Sequence, residues 1–166
     1  MVGRFYLKTV AGLKSPETML DEFIQVNGIN AQILTFDEEV ATCKQAQVLE
    51  RSTPIVKTIV LAHAKGFALV ILEASKKVDL RKVENTLDTK KARLATPEEV
   101  EHVTGYEVGG VPPISVYGTP TLIDEGVLTH TWVLCGGGNS FSLLKITAKE
   151  ILAHAFEPQV VNVALC

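Results

Sequence analysis

No stretch of this chain approaches the ~18 consecutive apolar residues that a membrane-crossing helix needs. Arg4 and Lys8 interrupt the first thirteen residues and no small-residue cleavage site follows, so a secretory leader is not expected. Cysteine is scarce. Cys43, Cys135 and Cys166 are odd in number and unevenly placed, which argues against a disulfide framework and for a reducing cytoplasm. The histidines, His63, His102, His130 and His154, have no metal-ligand spacing with cysteine or acidic residues, so no metal site is expected. There is no Gly-x-Ser-x-Gly elbow to carry a serine-hydrolase triad. No repeat, low-complexity tract or linker divides the chain, and its 166 residues read as one domain, 1–166.

What is present is an ordinary globular composition, 46% apolar and 21% charged, so a packed core is expected. The net charge of −3 does not advertise nucleic-acid binding. Its distribution is uneven, because Lys76, Lys77, Arg81, Lys82, Lys90, Lys91 and Arg93 face only Asp79, Glu84 and Asp88 within 76–93. That segment is either a solvated helix face or a phosphate-contacting one.

Punctuation residues set the elements. Ser15-Pro16 opens a helix that Asn27-Gly28 stops near Val26, and a short strand covers Ala31 to Phe36. Thr42 with Gln45 is a capping box for a short helix. Residues 55–72 read as a hairpin turning at Lys65-Gly66. Helices are expected from Asp79 to Leu87 and from Thr96 to Gly105, with a short strand at Ala92–Ala95 between them. Strands follow at Thr121–Ile123, Thr131–Cys135 and Phe141–Ile146. A third capping box, Thr147 with Glu150, opens the last helix, and Val160–Leu165 reads as an edge strand. Hairpins together with crossovers predict an α/β fold with a mixed sheet.

Three features bear on chemistry. Lys57 interrupts the β-branched run Ile55-Val56-Lys57-Thr58-Ile59 and shares a strand face with isoleucines. A lysine there needs an anionic partner, a snorkelling path to solvent, or a function. Gly109-Gly110-Val111-Pro112-Pro113 is either a tight turn or a shaped loop offering backbone donors to an oxyanion. Cys135-Gly136-Gly137-Gly138-Asn139-Ser140 lacks the ending of a P-loop and reads better as a hairpin turn; Cys135 reads better as a buried thiol than as a nucleophile.

The order of these elements resembles a known family. Thr42, Ile55-Val56-Lys57-Thr58, Ala92-Arg93-Leu94-Ala95-Thr96-Pro97-Glu98-Glu99, Thr104-Gly105-Tyr106, the Gly109–Pro113 loop and Gly136-Gly137 are similar to the YbaK family. These are free-standing relatives of the bacterial prolyl-tRNA synthetase insertion domain. The resemblance covers roughly residues 17–160. It implies a mixed, partly barrel-like central sheet surrounded by helices. It implies hydrolysis of mischarged tRNA, chiefly cysteine or alanine on proline tRNA, without metal or organic cofactor. The implied partner is the acceptor end of an aminoacyl-tRNA, with prolyl-tRNA synthetase as a further one. Lys57, Gly109 and Pro113 would then be catalytic: Lys57 would hold the anionic or carbonyl end of the substrate, and the loop backbone would fix the ester. Thr42, Gly110, Val111, Gly136, Gly137 and Ser142 would line the substrate pocket. Ser142 stands where cysteine-specific relatives carry aspartate, and Leu49-Glu50 replaces the usual Leu-Gly, so the amino acid edited does not carry over.

Such chemistry suits a chain without a visible nucleophile, since an aminoacyl ester is already activated and needs positioning and charge stabilisation. The attacking group is then a water ordered by the ribose hydroxyl, or a thiol of the substrate itself. Two other readings remain open on sequence alone: a tRNA- or synthetase-binding adaptor without hydrolysis, and an esterase of small molecules.

Overall fold

The computed structural model describes residues 16–40 and 52–166. Thr42, the short helix expected to start there, and Leu49-Glu50 lie outside the described residues. The elements are α1 Pro16–Asn27, β1 Ala31–Thr35, β2 Val56–His63, β3 Gly66–Glu73, α2 Leu80–Leu87, β4 Arg93–Leu94, α3 Pro97–Thr104, β5 Thr121–Asp124, β6 Trp132–Gly136, β7 Ser142–Thr147, α4 Ala148–His154 and β8 Pro158–Val161. A helical turn not anticipated from sequence, Glu125–Thr129, follows β5.

The strands form two sheets. One is antiparallel, in the order β1-β7-β6; the other is mixed, in the order β4-β2-β3-β5-β8, with β3/β5 and β5/β8 parallel. The mixed α/β expectation holds, but among the described residues the strands form two open sheets rather than a partly barrel-like one. Among the described residues one backbone bridge joins the two sheets, the parallel pair Ile55 and Leu134. Beyond it the end of β6 is met by the Gly109–Pro113 loop rather than by β2, because Gly138 N–H donates to the Gly110 carbonyl at 2.8 Å.

Both faces of the β2–β3 hairpin are covered, which explains why its sequence is apolar nearly throughout. Val56, Val60, Leu69 and Ile71 pack between the sheets against Val133, Cys135, Leu144 and Ile146, with Leu20 and Ile24 of α1 closing one end. On the opposite face Leu61, Val70 and Leu72 pack under Val83 of α2 and against Val163. A third, small cluster of Val40, Ile55, Leu134 and Leu143 covers half of the outer face of the antiparallel sheet.

The helix signals mostly translate into geometry. Asp79 caps α2 by accepting from the Arg81 and Lys82 amides. Thr96 and Glu99 complete a reciprocal capping box on α3, and Gly105 ends that helix in the left-handed region at φ 79. At α4 only half of the expected box forms. Thr147 accepts from the Glu150 amide, while the Glu150 carboxylate reaches across to the Asn30 N–H at 3.1 Å. The expected last strand starts earlier, at Pro158, because β5 supplies a parallel edge for it.

Glu99 also takes Arg93 in a bidentate pair at 2.8 and 2.9 Å. The Arg93 hydrogen bonds, with the Thr96 backbone N–H second, lower its carboxyl from the ordinary 4.5 to about 2. A carboxyl depressed on folding contributes stability above its unfolded value and loses it as pH falls through the folded one. An NMR titration of the Glu99 carboxyl is therefore expected to show a midpoint near 2, and Arg93→Ala should move it back toward 4.5. A midpoint left near 2 in that variant would assign the depression to the helix cap alone.

Candidate functional site

Lys57 lies near the start of β2, opposite Leu72 on β3. Its side chain is half-buried, on the same strand face as Ile59 and Leu61. The ammonium makes no ion pair or hydrogen bond among the described residues, so of the three explanations for its place the anionic partner is not met there. One residue on, and on the opposite face, Thr58 turns into the space between the sheets. Its Oγ1 is buried and finds no hydrogen-bond partner among the described residues. Sequence reading passed over Thr58; the available signal was a hydroxyl at an inward position of a strand that is otherwise Val and Ile.

The bridge between the sheets fixes what lies level with Lys57. Ile55 is in parallel register with Leu134, and two residues further along each strand stand Lys57 and Gly136. Gly136 is pressed against the Gly109–Pro113 loop: a Cβ there would overlap the Val111 carbonyl oxygen. A Cβ on Gly110 would stand 2.9 Å from the Asn139 backbone, and one on Gly137 would overlap the Ser142 carbonyl carbon and Leu143 nitrogen. These glycines exist because two backbones lie in contact. The structure thus brings Gly109–Pro113, Gly136-Gly137 and Ser142 together, at the end of β6 that faces the start of β2. The hairpin reading of 135–140 is correct, and the same glycines seat the loop.

The loop is held rigidly from behind. Tyr106 is buried and donates through its hydroxyl to Ser115 Oγ at 2.9 Å, with burial pushing its phenol pKa up. The Glu107 carboxylate accepts from Ser140 N–H at 3.2 Å, and Gly109 takes the left-handed φ of 88. Gly110 through Pro113 are buried. The Gly110 N–H is committed to the Glu107 carbonyl at 3.0 Å, so that amide is not among the donors such a loop could offer.

Ser142 is buried at the first position of β7, and its Oγ lies 3.3 Å from Thr35 Oγ1 across the β1–β7 pair. Thr35 is a second residue that sequence reading missed. Cys135 is buried in the main core; burial alone pushes its thiol pKa far up, and Sγ donates to the Leu144 carbonyl. A thiol held protonated is no nucleophile, as the sequence suggested.

The histidines are scattered. His130 Nε2 meets Glu73 Oε2 at 3.1 Å, and that hydrogen bond, foremost, holds Glu73 below the usual carboxylate range. His63 meets Thr89, and His154 sits in the last turn of α4, as the helix dipole favours. Among the described residues no group of three or more His, Cys, Asp or Glu side chains is gathered as a metal would require. Three of the seven basic side chains of 76–93 are engaged within the protein: Lys76 pairs with Glu73, Lys82 bonds Asn162 and the Ala164 carbonyl, and Arg93 holds Glu99. Lys77, Arg81, Lys90 and Lys91 are exposed. A groove of about 960 Å³ against the antiparallel sheet contains none of these candidate residues.

The packing of Gly136 gives a direct test. Gly136→Ala forces a methyl into the Val111 carbonyl, and backbone cannot yield as a side-chain tip can. Overpacking of this kind costs roughly 1–3 kcal/mol. Denaturant unfolding should show that loss; an unchanged midpoint would mean the loop is not seated as described.

The family model for the aminoacyl-tRNA editing domain matches residues 37–153. A proline–tRNA ligase of Halalkalibacterium halodurans is 31% identical over 86 residues, which are 52% of this chain but only 15% of that enzyme. An uncharacterised Bacillus subtilis protein, YwhH, is 28% identical over 155 residues, covering 91% of this chain and 96% of its own. Among solved structures, one described as "a putative trans-editing enzyme for prolyl tRNA synthetase" superposes with a TM-score of 0.82 at 28% identity, covering 93% of this chain and all of that one.

Proposed function

The chain belongs to the aminoacyl-tRNA editing domain family, and on that premise we propose that it is a deacylase that hydrolyses the ester of mischarged tRNA in trans. Its substrates are cysteine or alanine wrongly attached to proline tRNA, and it works in the cytoplasm beside prolyl-tRNA synthetase. The observation that carries this reading is Lys57: a half-buried ammonium, unpaired among the described residues, level with the Gly136 contact of the Gly109–Pro113 loop.

An aminoacyl ester has a good leaving group in the terminal ribose hydroxyl. A water, or the thiol of an attached cysteine, attacks the carbonyl carbon; the carbon–oxygen bond to the ribose breaks; the ribose oxygen takes up the proton. On the thiol route the product is a cyclic thioester, whose carbon–sulfur bond water then cleaves to give free cysteine. Negative charge develops on the carbonyl oxygen, and a fixed cation in a partly dehydrated setting stabilises it. Lys57 supplies that cation. Gly109 and Pro113 bound the rigid loop that fixes the ester, with Val111, Gly136, Gly137 and Ser142 around it; the family resemblance adds Thr42 to the substrate-binding set. The chemistry needs no metal or organic cofactor. Selection among small amino acids is steric, and one methylene is worth only about 1–3 kcal/mol, so both cysteine and alanine are accepted.

The test is deacylation of proline tRNA charged with cysteine, alanine or proline, by the purified chain. Release of cysteine or alanine with proline left in place is the expected result. Stability of all three esters would overturn the hydrolytic reading in favour of an adaptor.

A further inference from the structure

We propose that the open half of the antiparallel sheet is the track on which the single-stranded acceptor end of the tRNA lies, with Trp132 stacking beneath a base and Lys145 contacting a phosphate. The proposal rests on the deacylase reading above and names how that substrate is held.

The outer face of β1-β7-β6 is divided. At one end Leu34, Leu143 and Leu134 lie under Val40 and Ile55. At the other end Gln32, Lys145 and Trp132 have no such cover among the described residues. Gln32 stands directly opposite Lys145, and Trp132, paired with Thr147, is the diagonal neighbour of Lys145 on the same face. These three, with Asn30, Pro54 and His130, line the groove of about 960 Å³. Trp132 is the chain's one tryptophan and is 37% exposed. A solvent-facing indole in a groove is a poor use of the largest apolar side chain unless something stacks on it.

Charge and position select the occupant. The described lining carries Lys145 and His130 and no carboxylate, in a chain whose net charge is −3. The nearby Glu73 is already engaged by His130 and Lys76. A cation beside a flat aromatic in a polar groove is the arrangement that holds unpaired nucleotides by backbone charge and base stacking. The groove and the candidate site lie at opposite ends of the same strands, separated by the Val40–Ile55 cover. Leu134 N–H donates to the Pro54 carbonyl at the groove's edge, one residue before the Ile55–Leu134 bridge. From there Lys57 is three residues along β2, and from Trp132 Gly136 is four along β6. At about 3.3 Å per residue that is roughly 10–13 Å, within reach of a few unpaired nucleotides.

The single tryptophan is its own reporter. Titration with uncharged proline tRNA should quench its emission, and the same tRNA trimmed of its unpaired terminal nucleotides should bind at least about fivefold more weakly. On charged tRNA, Trp132→Ala should raise KM at least about fivefold with kcat little changed, and Trp132→Phe should recover most of the loss. Lys145→Ala should weaken binding and flatten its salt dependence by about one phosphate contact. Emission insensitive to the unpaired end, or a folded Trp132→Ala with the parent KM, overturns the track. Quenching by a protein such as prolyl-tRNA synthetase but not by tRNA makes the groove a protein interface and overturns it equally. If overhang-dependent quenching occurs but no charged tRNA is hydrolysed, the track stands and the deacylase reading falls. If hydrolysis proceeds without regard to Trp132 and Lys145, the reverse holds.

Discussion

Lys57→Ala is expected to lower the deacylation rate at least tenfold while the folded state keeps its stability. The two halves of that expectation come from one observation. Because the ammonium is paired with nothing among the described residues, its removal strands no buried counter-charge there, and the stability cost should stay near the ±0.5 kcal/mol of ordinary partly exposed substitutions. What is lost is charge aimed at the developing oxyanion. Removing one such group from an enzyme site typically costs ~10²–10³ in rate, which leaves tenfold as a lower bound. Single-turnover hydrolysis of the charged tRNA, run beside thermal unfolding of the same preparations, separates the two effects. Lys57→Met tests the rival explanation, that the aliphatic stem matters and the charge does not, since methionine keeps length and apolarity. Full activity in a folded Lys57→Ala protein would remove Lys57 from the mechanism, and full activity in Lys57→Met alone would leave it only its stem.

Which parts of this arrangement were legible beforehand follows from the range of the forces involved. Caps, turns and the β2–β3 hairpin are local, and Thr96 with Glu99, Gly105 and Lys65-Gly66 do in the structure what their spacing implies. The Thr147–Glu150 box failed by half because a backbone amide distant in sequence, that of Asn30, competed for the same carboxylate. The candidate site is almost wholly non-local. Nothing in the glycines at 109–110 and 136–138 announces that the two turns lie backbone to backbone; that follows only once β6 and the loop are placed. The oddity of Lys57 was legible, but the Thr58 hydroxyl beside it, without a partner among the described residues, and the Thr35–Ser142 contact depend on which strands face each other. The barrel was over-read for a related reason: strand order and strand content do not reveal that a loop intervenes where β2 and β6 would have continued to pair.

Asp124→Ala is expected to destabilise the chain by about 3–5 kcal/mol, a large part of the ~5–15 kcal/mol that holds a domain together. Asp124 ends β5 and is only 2% exposed. Its Oδ1 accepts from the amides of Val163 at 2.9 Å and Ala164 at 3.2 Å, and Oδ2 accepts from Gly126 at 3.1 Å. One carboxylate therefore caps the turn after β5 and fastens the C-terminal segment. That segment buries Val163 in the core under α2, and the Val163 carbonyl accepts from Asp79, the cap residue of α2. Alanine would leave the donors of all three amides unsatisfied, at ~1–3 kcal/mol for each that water cannot reach. Asp124→Asn should fall between, because its one carbonyl oxygen can keep the Val163 and Ala164 bonds while its amide faces the Gly126 N–H donor to donor. Denaturant midpoints in the order parent, Asn, Ala are the expected result. Equal midpoints for parent and Ala would mean that the tail is held by Val163 packing alone. The position also separates stability from chemistry. Asp124 lies on β5, outside the contact between the Gly109–Pro113 loop and the β6–β7 turn, so any variant of it that remains folded should deacylate at the parent rate, whereas Lys57→Ala should do the opposite.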